Sequence, residues 1–199
     1  MKKRTFYRTA ASIIAAAAMS MTICGTVLAA EPASKVSVLT YFNQGADELD
    51  DVLYSDKDAG APGADDSVYV KRADDKVISY VKEDAAECMG AHPDTIYRGY
   101  TMDTKTGSQL TLKDVVDDYD GLQRAVVDAL KAQESESGGF NADYESTVKT
   151  MFSKDEVQWF MGDDDLCILF NEDTVAPHAA GPIVVQISYG TGLLNESYR

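Results

Sequence analysis

Apolar and polar residues alternate in three successive runs between residues 67 and 103: SVYVKR from Ser67, KVISYVKED from Lys76 and TIYRGYTMD from Thr95. Alternation with a period of two marks strands with one buried face. Ala73-Asp74-Asp75 separates the first two runs, and Lys105-Thr106-Gly107 ends the third as a turn. Together they predict an antiparallel meander, with Val68 and Val70, then Val77, Ser79 and Val81, on its inner side. From Thr111, a plausible N-cap for a short helical turn, the period lengthens. Leu122, Val126 and Leu130 recur at i, i+4 and i+8 beside Ala125 and Ala129, which predicts a helix over 119–132. Residues 135–139 interrupt the pattern, and Tyr144, Val148 and Phe152 resume it over 141–152. Val157, Trp159 and Met161 then face one way, residues 162–165 turn the chain, and Leu166, Ile168 and Phe170 return on the same side. A last strand follows at 183–189. Upstream, a strand at 36–41 and a short helix at 46–54 are the least marked elements, and residues 56–66 have the Gly, Pro and Asp content of a linker.

Strands followed by helices followed by strands give an α+β class: an antiparallel sheet of about five or more strands with two to three helices packed on one face. The chain of 199 residues divides into residues 1–30, a poorly defined segment over 31–66, and the α+β domain over 67–199.

Residues 1–30 read as a secretory signal peptide. Lys2, Lys3, Arg4 and Arg8 precede an uncharged run from Thr9 to Ala30, and Val27-Leu28-Ala29-Ala30 supplies small residues for cleavage after Ala29 or Ala30. About 20 apolar residues can also span a bilayer, but the many alanines and the Val-x-Ala exit favour cleavage. Ile23 precedes Cys24 where a lipid-attachment site carries a small residue. The expected location is therefore extracytoplasmic, with membrane attachment only through an uncleaved leader.

The whole chain has 18 basic and 33 acidic residues and a net charge of −15. Loss of residues 1–30 removes four basic and no acidic residues, so fourteen basic against 33 acidic leave −19. Such a charge disfavours nucleic acid and favours cationic proteins or peptides, or divalent cations, as partners; it also serves plain solubility. Cys88 and Cys167 remain after cleavage. In an oxidising compartment the pair fits either a disulfide, worth about 4 kcal/mol in the chain-entropy picture, or two small buried thiols.

His92 and His178, the only histidines, lie in the two most distinctive loops, 91–93 and 176–181. Two readings stand side by side. The loops could form a two-histidine metal site completed by Asp94, Asp173 or Glu172. More plainly, Ala91-His92-Pro93 makes a tight strand entry with the His92 ring on nearby backbone, and 176–181 is a close-packed loop stiffened by Pro177 and Pro182. The acidic runs 114–120 and 163–165 do not follow the EF-hand order, and acids at a helix start also suit its dipole. No nucleophilic triad, phosphate loop or dinucleotide fingerprint is present, so no catalytic residue and no cofactor are expected.

The segments CMGAHPDTIYRGYTMDTKTGSQLTLKDVV and LCILFNEDTVAPHAAGPIVVQISY resemble the secreted bacterial domain of unknown function that forms the extracellular part of the anti-sigma-V factor and accompanies some peptidoglycan deacetylases. The resemblance covers 67–196. The family usually has Gly-Gly-Ala-His-Pro where this chain has Met89-Gly90-Ala91-His92-Pro93. It has Ala-Pro-Tyr-Ala-Ala-Gly at 176–181, and its tyrosine at position 178 counts against a metal there. The family's usual upstream subdomain is shortened in this chain. The resemblance implies a non-catalytic, sensor-type module that binds lysozyme or another cationic or cell-envelope partner. The motif loops and adjacent residues are the expected contact surface: His92, Asp94, Tyr97, Asn171, Asp173 and His178. Residues 1–9 are too short a tail to hold a sigma factor, so an anti-sigma role is not expected. The alternatives are a cell-envelope enzyme or enzyme accessory, or a metal-binding domain using the His92 and His178 loops.

Overall fold

The computed structural model describes residues 36–40, 46–54, 66–86 and 94–199. They lie in one unit spanning 32–199. Residues 1–35, with the expected leader, the loop 87–93 with Cys88 and His92, and most of the expected linker fall outside the described residues.

Among the described residues, seven strands and four α-helices follow the order β1 (Val36–Leu39), α1 (Ala46–Tyr54), β2 (Asp66–Ala73), β3 (Val77–Ala86), β4 (Asp94–Asp103), α2 (Leu112–Val115), α3 (Tyr119–Ser137), α4 (Tyr144–Lys154), β5 (Gln158–Met161), β6 (Asp165–Phe170) and β7 (Ile183–Ser188). The α+β class holds, and the strands divide between two antiparallel sheets. One has four strands in the order β1-β7-β6-β5, and the other is the meander β2-β3-β4.

The division follows from how completely the four-stranded sheet is covered. On one face Trp159, Met161, Leu166, Ile168, Phe170, Ile183, Val185 and Ile187 pack with Leu122, Val126 and Leu130 of α3 and Val148 and Phe152 of α4. On the other, Phe160, Cys167, Leu169 and Val184 pack with Leu49 and Leu53 of α1, Val81 of β3 and Tyr97 of β4. The unbroken apolar run from Leu166 to Phe170 is therefore buried throughout, as in strands covered on both faces. Each large side chain enclosed in this way contributes about 1.5–3 kcal/mol.

The two sheets meet where β3 and β4 cross the outer edge of β5. The Met161 N–H donates to Ser79 Oγ at 2.8 Å, and Ser79 Oγ lies 2.8 Å from Thr101 Oγ1. Gly99 of β4 packs on the β5 backbone, where a Cβ would overlap the Trp159 carbonyl oxygen. A strand glycine often marks such a close approach.

Local chemistry sets the helix boundaries. Thr111 and Asp114 form a capping box at the start of α2. Asp118 Oδ1 accepts from the Gly121 N–H at the start of α3. That helix runs through the expected break to Ser137 and stops at Gly138, whose φ is 66°. Among the described residues no helix is long and apolar enough to cross a membrane.

Candidate functional site

Four of the six expected contact residues have described side chains. Asn171, just beyond β6, reaches across to β4: its Oδ1 accepts from the Tyr97 N–H at 2.7 Å and its Nδ2 donates to the Tyr97 carbonyl at 3.0 Å. The amide thus imitates a neighbouring strand along the β4 edge, while the Tyr97 side chain is 3% exposed in the core. Asp173 is exposed with φ of 59°, a left-handed position that Asp tolerates. His178 Nδ1 lies 2.9 Å from Glu172 Oε2 and 3.7 Å from Asp173 Oδ2 on the surface. Asp94 opens β4; His92 is outside the described residues.

The loop bearing His178 is anchored on both sides. Val175, Ala176 and Ala180 are buried in the helix-side core, and the Asn141 N–H donates to the Val175 carbonyl at 2.9 Å. Among the described residues no three His, Cys, Asp or Glu side chains converge to hold a metal. Cys167, weighed above as half of a bridge, is a free buried thiol facing the second core. Burial pushes its pKa up, which disfavours the reactive thiolate.

A cleft of about 370 Å³ opens between the β4 edge at Arg98–Tyr100, the segment 109–113 and the start of β5. Its volume falls within the usual range for small-molecule sites, about 300–1,000 Å³. The C-terminal half of the β4 edge is covered, because the Asp103 N–H donates to Ser108 and the Leu110 N–H to Thr101. Asn171 caps the other end. Between these covers lie the lining residues Gln109, Gln158, Tyr100 and Trp159, with Lys113, Asp155 and Tyr119 at one end.

Lys113 Nζ is 2.6 Å from Asp155 Oδ1 and 5.1 Å from the centre of the Tyr119 ring. The Tyr119 hydroxyl donates to the Phe152 carbonyl at 3.1 Å and lies 3.2 Å from Asp155 Oδ1. Burial, reinforced by the Asp155 carboxylate, pushes Tyr119 up to about 12. The hydrogen bond from Lys113 holds Asp155 below the usual carboxylate range. This end of the cleft therefore keeps its proton arrangement across neutral pH. On the opposite wall Arg98 pairs with Asp84.

A second, smaller hollow of about 220 Å³ lies beside the turn 162–165, lined by Asp51, Lys71, Asp163, Asp164, Asp165 and Cys167 among others. Lys71 is 7% exposed, and its Nζ donates to the Leu53 carbonyl near the end of α1 at 2.6 Å. Desolvation lowers its pKa to about 8.

The cleft residues were not among the expected contacts. Two signals were available: a lone glycine within a strand pattern at Gly99, and the chain's single tryptophan at Trp159, which was assigned to the core.

The class is thus an α+β domain of two antiparallel sheets with helices over one of them. More particularly, residues 109–190 match the family model of DUF3298, a protein of unknown function, so a DUF3298 domain is present. The match takes in α2 to β7 and one wall of the cleft. The fold is similar to a DUF3298 family member from Bacteroides fragilis NCTC 9343, with a TM-score of 0.52 at 19% identity over 66% of this chain and 54% of that one. It is likewise similar to a DUF3298 family protein from Pseudomonas aeruginosa PAO1, with a TM-score of 0.50 at 13% identity over 67% of this chain and 62% of that one. The chain thus spans less than two thirds of either solved protein. No curated protein matches it in sequence.

Proposed function

We propose that this chain is an exported, non-catalytic binding module of sensor type that captures a cationic partner, such as lysozyme or a basic cell-envelope component, outside the cytoplasm. One observation carries the reading: among the described residues the buried charged side chains are Lys71 and Arg72, both basic. Lys71 is held by the Leu53 carbonyl, and Arg72 is tied to Asp74 at 2.6 Å. Acids meanwhile occupy the exterior, with Asp117, Asp118, Asp120, Asp128, Asp163, Asp164 and Asp173 exposed. The surface is consequently more acidic than the composition alone conveys. Such a field speeds encounter with a basic protein and suppresses acidic partners.

Export is supported by the tripartite layout of residues 1–30, and lysozyme by the resemblance of the two motif segments to the extracellular domain of the anti-sigma-V factor. The test is a pull-down with the purified chain against lysozyme and solubilised envelope fractions at low ionic strength, where attraction between exposed charges is least screened. Recovery of lysozyme or another basic protein is expected. Recovery of nothing would overturn electrostatic capture.

A further inference from the structure

The cleft beside Trp159 differs in character from the acidic exterior. Its charged residues are paired locally, Lys113 with Asp155 and Arg98 with Asp84, so it offers no net charge to an ion of either sign. Its remaining polar lining includes the amides of Gln109 and Gln158, each of which both donates and accepts.

Trp159 supplies the second observation. It is 8% exposed and lines the cleft, and no described residue makes a hydrogen bond to its indole N–H. Arg199 Nε is the one fully enclosed side-chain polar atom without a partner among the described residues. The Trp159 N–H is therefore not fully enclosed, and Trp159 is a lining residue of the cleft. An indole this deeply buried ordinarily finds an acceptor. One left without a protein acceptor, in a residue that lines a cleft, is a donor open to a ligand oxygen.

We infer that this cleft binds an uncharged, hydroxyl-rich ligand, a short saccharide, with the Trp159 N–H and the Gln109 and Gln158 amides making its hydrogen bonds. Tyr100, stacked on Tyr80 with 5.1 Å between ring centres, is the lining ring assigned to the C–H face of a sugar, because the Tyr119 ring is already flanked by Lys113 and Phe152. Hydroxyl groups, which donate and accept at once, match the paired capacity of the amides. A free anion would find Arg98 and Lys113 already committed to carboxylates, and an apolar ligand would strand the amides. The inference is independent of the capture of a cationic protein, which uses the exposed acids.

Trp159 is the chain's only tryptophan, so its fluorescence reports on the one place where the cleft meets the helix-side core. The purified full chain is titrated with maltotriose, cellotriose and chitotriose, with inorganic phosphate and a blocked neutral tripeptide as controls. Emission is followed in parallel with calorimetry. At least one trisaccharide is expected to shift the emission saturably, with Gln158→Ala weakening it about tenfold, the scale of one lost hydrogen bond. Gln109→Ala, on the exposed rim, keeps the comparison open should the β5 variant fail to fold. Silence toward all three sugars, undiminished binding by both folded variants, or a response to phosphate or the peptide instead would overturn the assignment.

Discussion

Gly99 lies in β4 where an added methyl group would overlap the carbonyl oxygen of Trp159 in β5. Neither backbone can yield easily, because β4 is fixed to β3 along its length and β5 to β6. Gly99→Ala should therefore destabilise the fold by about 1–3 kcal/mol or more, the usual scale of overpacking; chemical denaturation measures it, and an unchanged midpoint would refute the close approach. Asn171 acts through hydrogen bonds. Asn171→Ala removes both bonds to the Tyr97 backbone, an expected loss of about 2 kcal/mol, accompanied by faster amide exchange at Tyr97. Tyr97 and Asn171 were both expected in a contact surface because each adjoins a distinctive motif; they do meet, but the Tyr97 side chain is buried in the core and lies on no surface. That the amide would grip the strand backbone was not legible, since it depends on a pairing 74 residues apart. Trp159 likewise reads as core from its alternation with Val157 and Met161, and its unpaired N–H is visible only in three dimensions.

At the scale of elements, local periodicity placed the strands and helices within a few residues, including β1 and α1 in the least marked part of the chain. The grouping of strands into two sheets was not readable in this way. It rests on Gly99, Ser79 and Thr101, three small residues through which the meander meets β5. The β2 strand shows a second limit. Its register shifts between Val70, opposite Tyr80, and Arg72, opposite Ser79, leaving Lys71 as the extra residue. Val68 and Val70, expected inward, stand opposite Lys82 and Tyr80 on the outer face; the bulge turns Arg72 in beside Ser79, while Lys71 follows Tyr69, opposite Val81, inward toward α1. There desolvation lowers its pKa from the ordinary 10.5 to about 8. The unfolded chain thus binds more protons than the folded one between those values, so this group adds stability as pH rises from about 8 to 10.5 and loses that contribution as pH falls back through about 8. Lys71→Met should abolish this component. Urea unfolding of both proteins at about pH 7 and about pH 10 is expected to show the stability difference moving in favour of the wild type at the higher pH, and a constant difference would contradict it.

For the whole molecule, the two layers covering the four-stranded sheet leave its charge on the outside. The net −15, becoming −19 without residues 1–30, is concentrated further by the withdrawal of Lys71 and Arg72 into the interior. Composition alone made the acidic exterior legible; the selective burial of basic residues needed the structure. The exterior and the paired-charge cleft are physically distinct surfaces and are expected to respond differently to salt. Contacts with a basic protein weaken as ions screen them, while hydrogen bonds to a neutral sugar persist. The most direct test of the central claim is the affinity of the purified chain for lysozyme measured by calorimetry across increasing salt, with cytochrome c as a second basic protein. Binding to lysozyme that is tightest at low salt, exceeds that of cytochrome c and weakens steadily as salt is added is the predicted result. No binding to lysozyme at the lowest salt, or an affinity indifferent to salt, would contradict it.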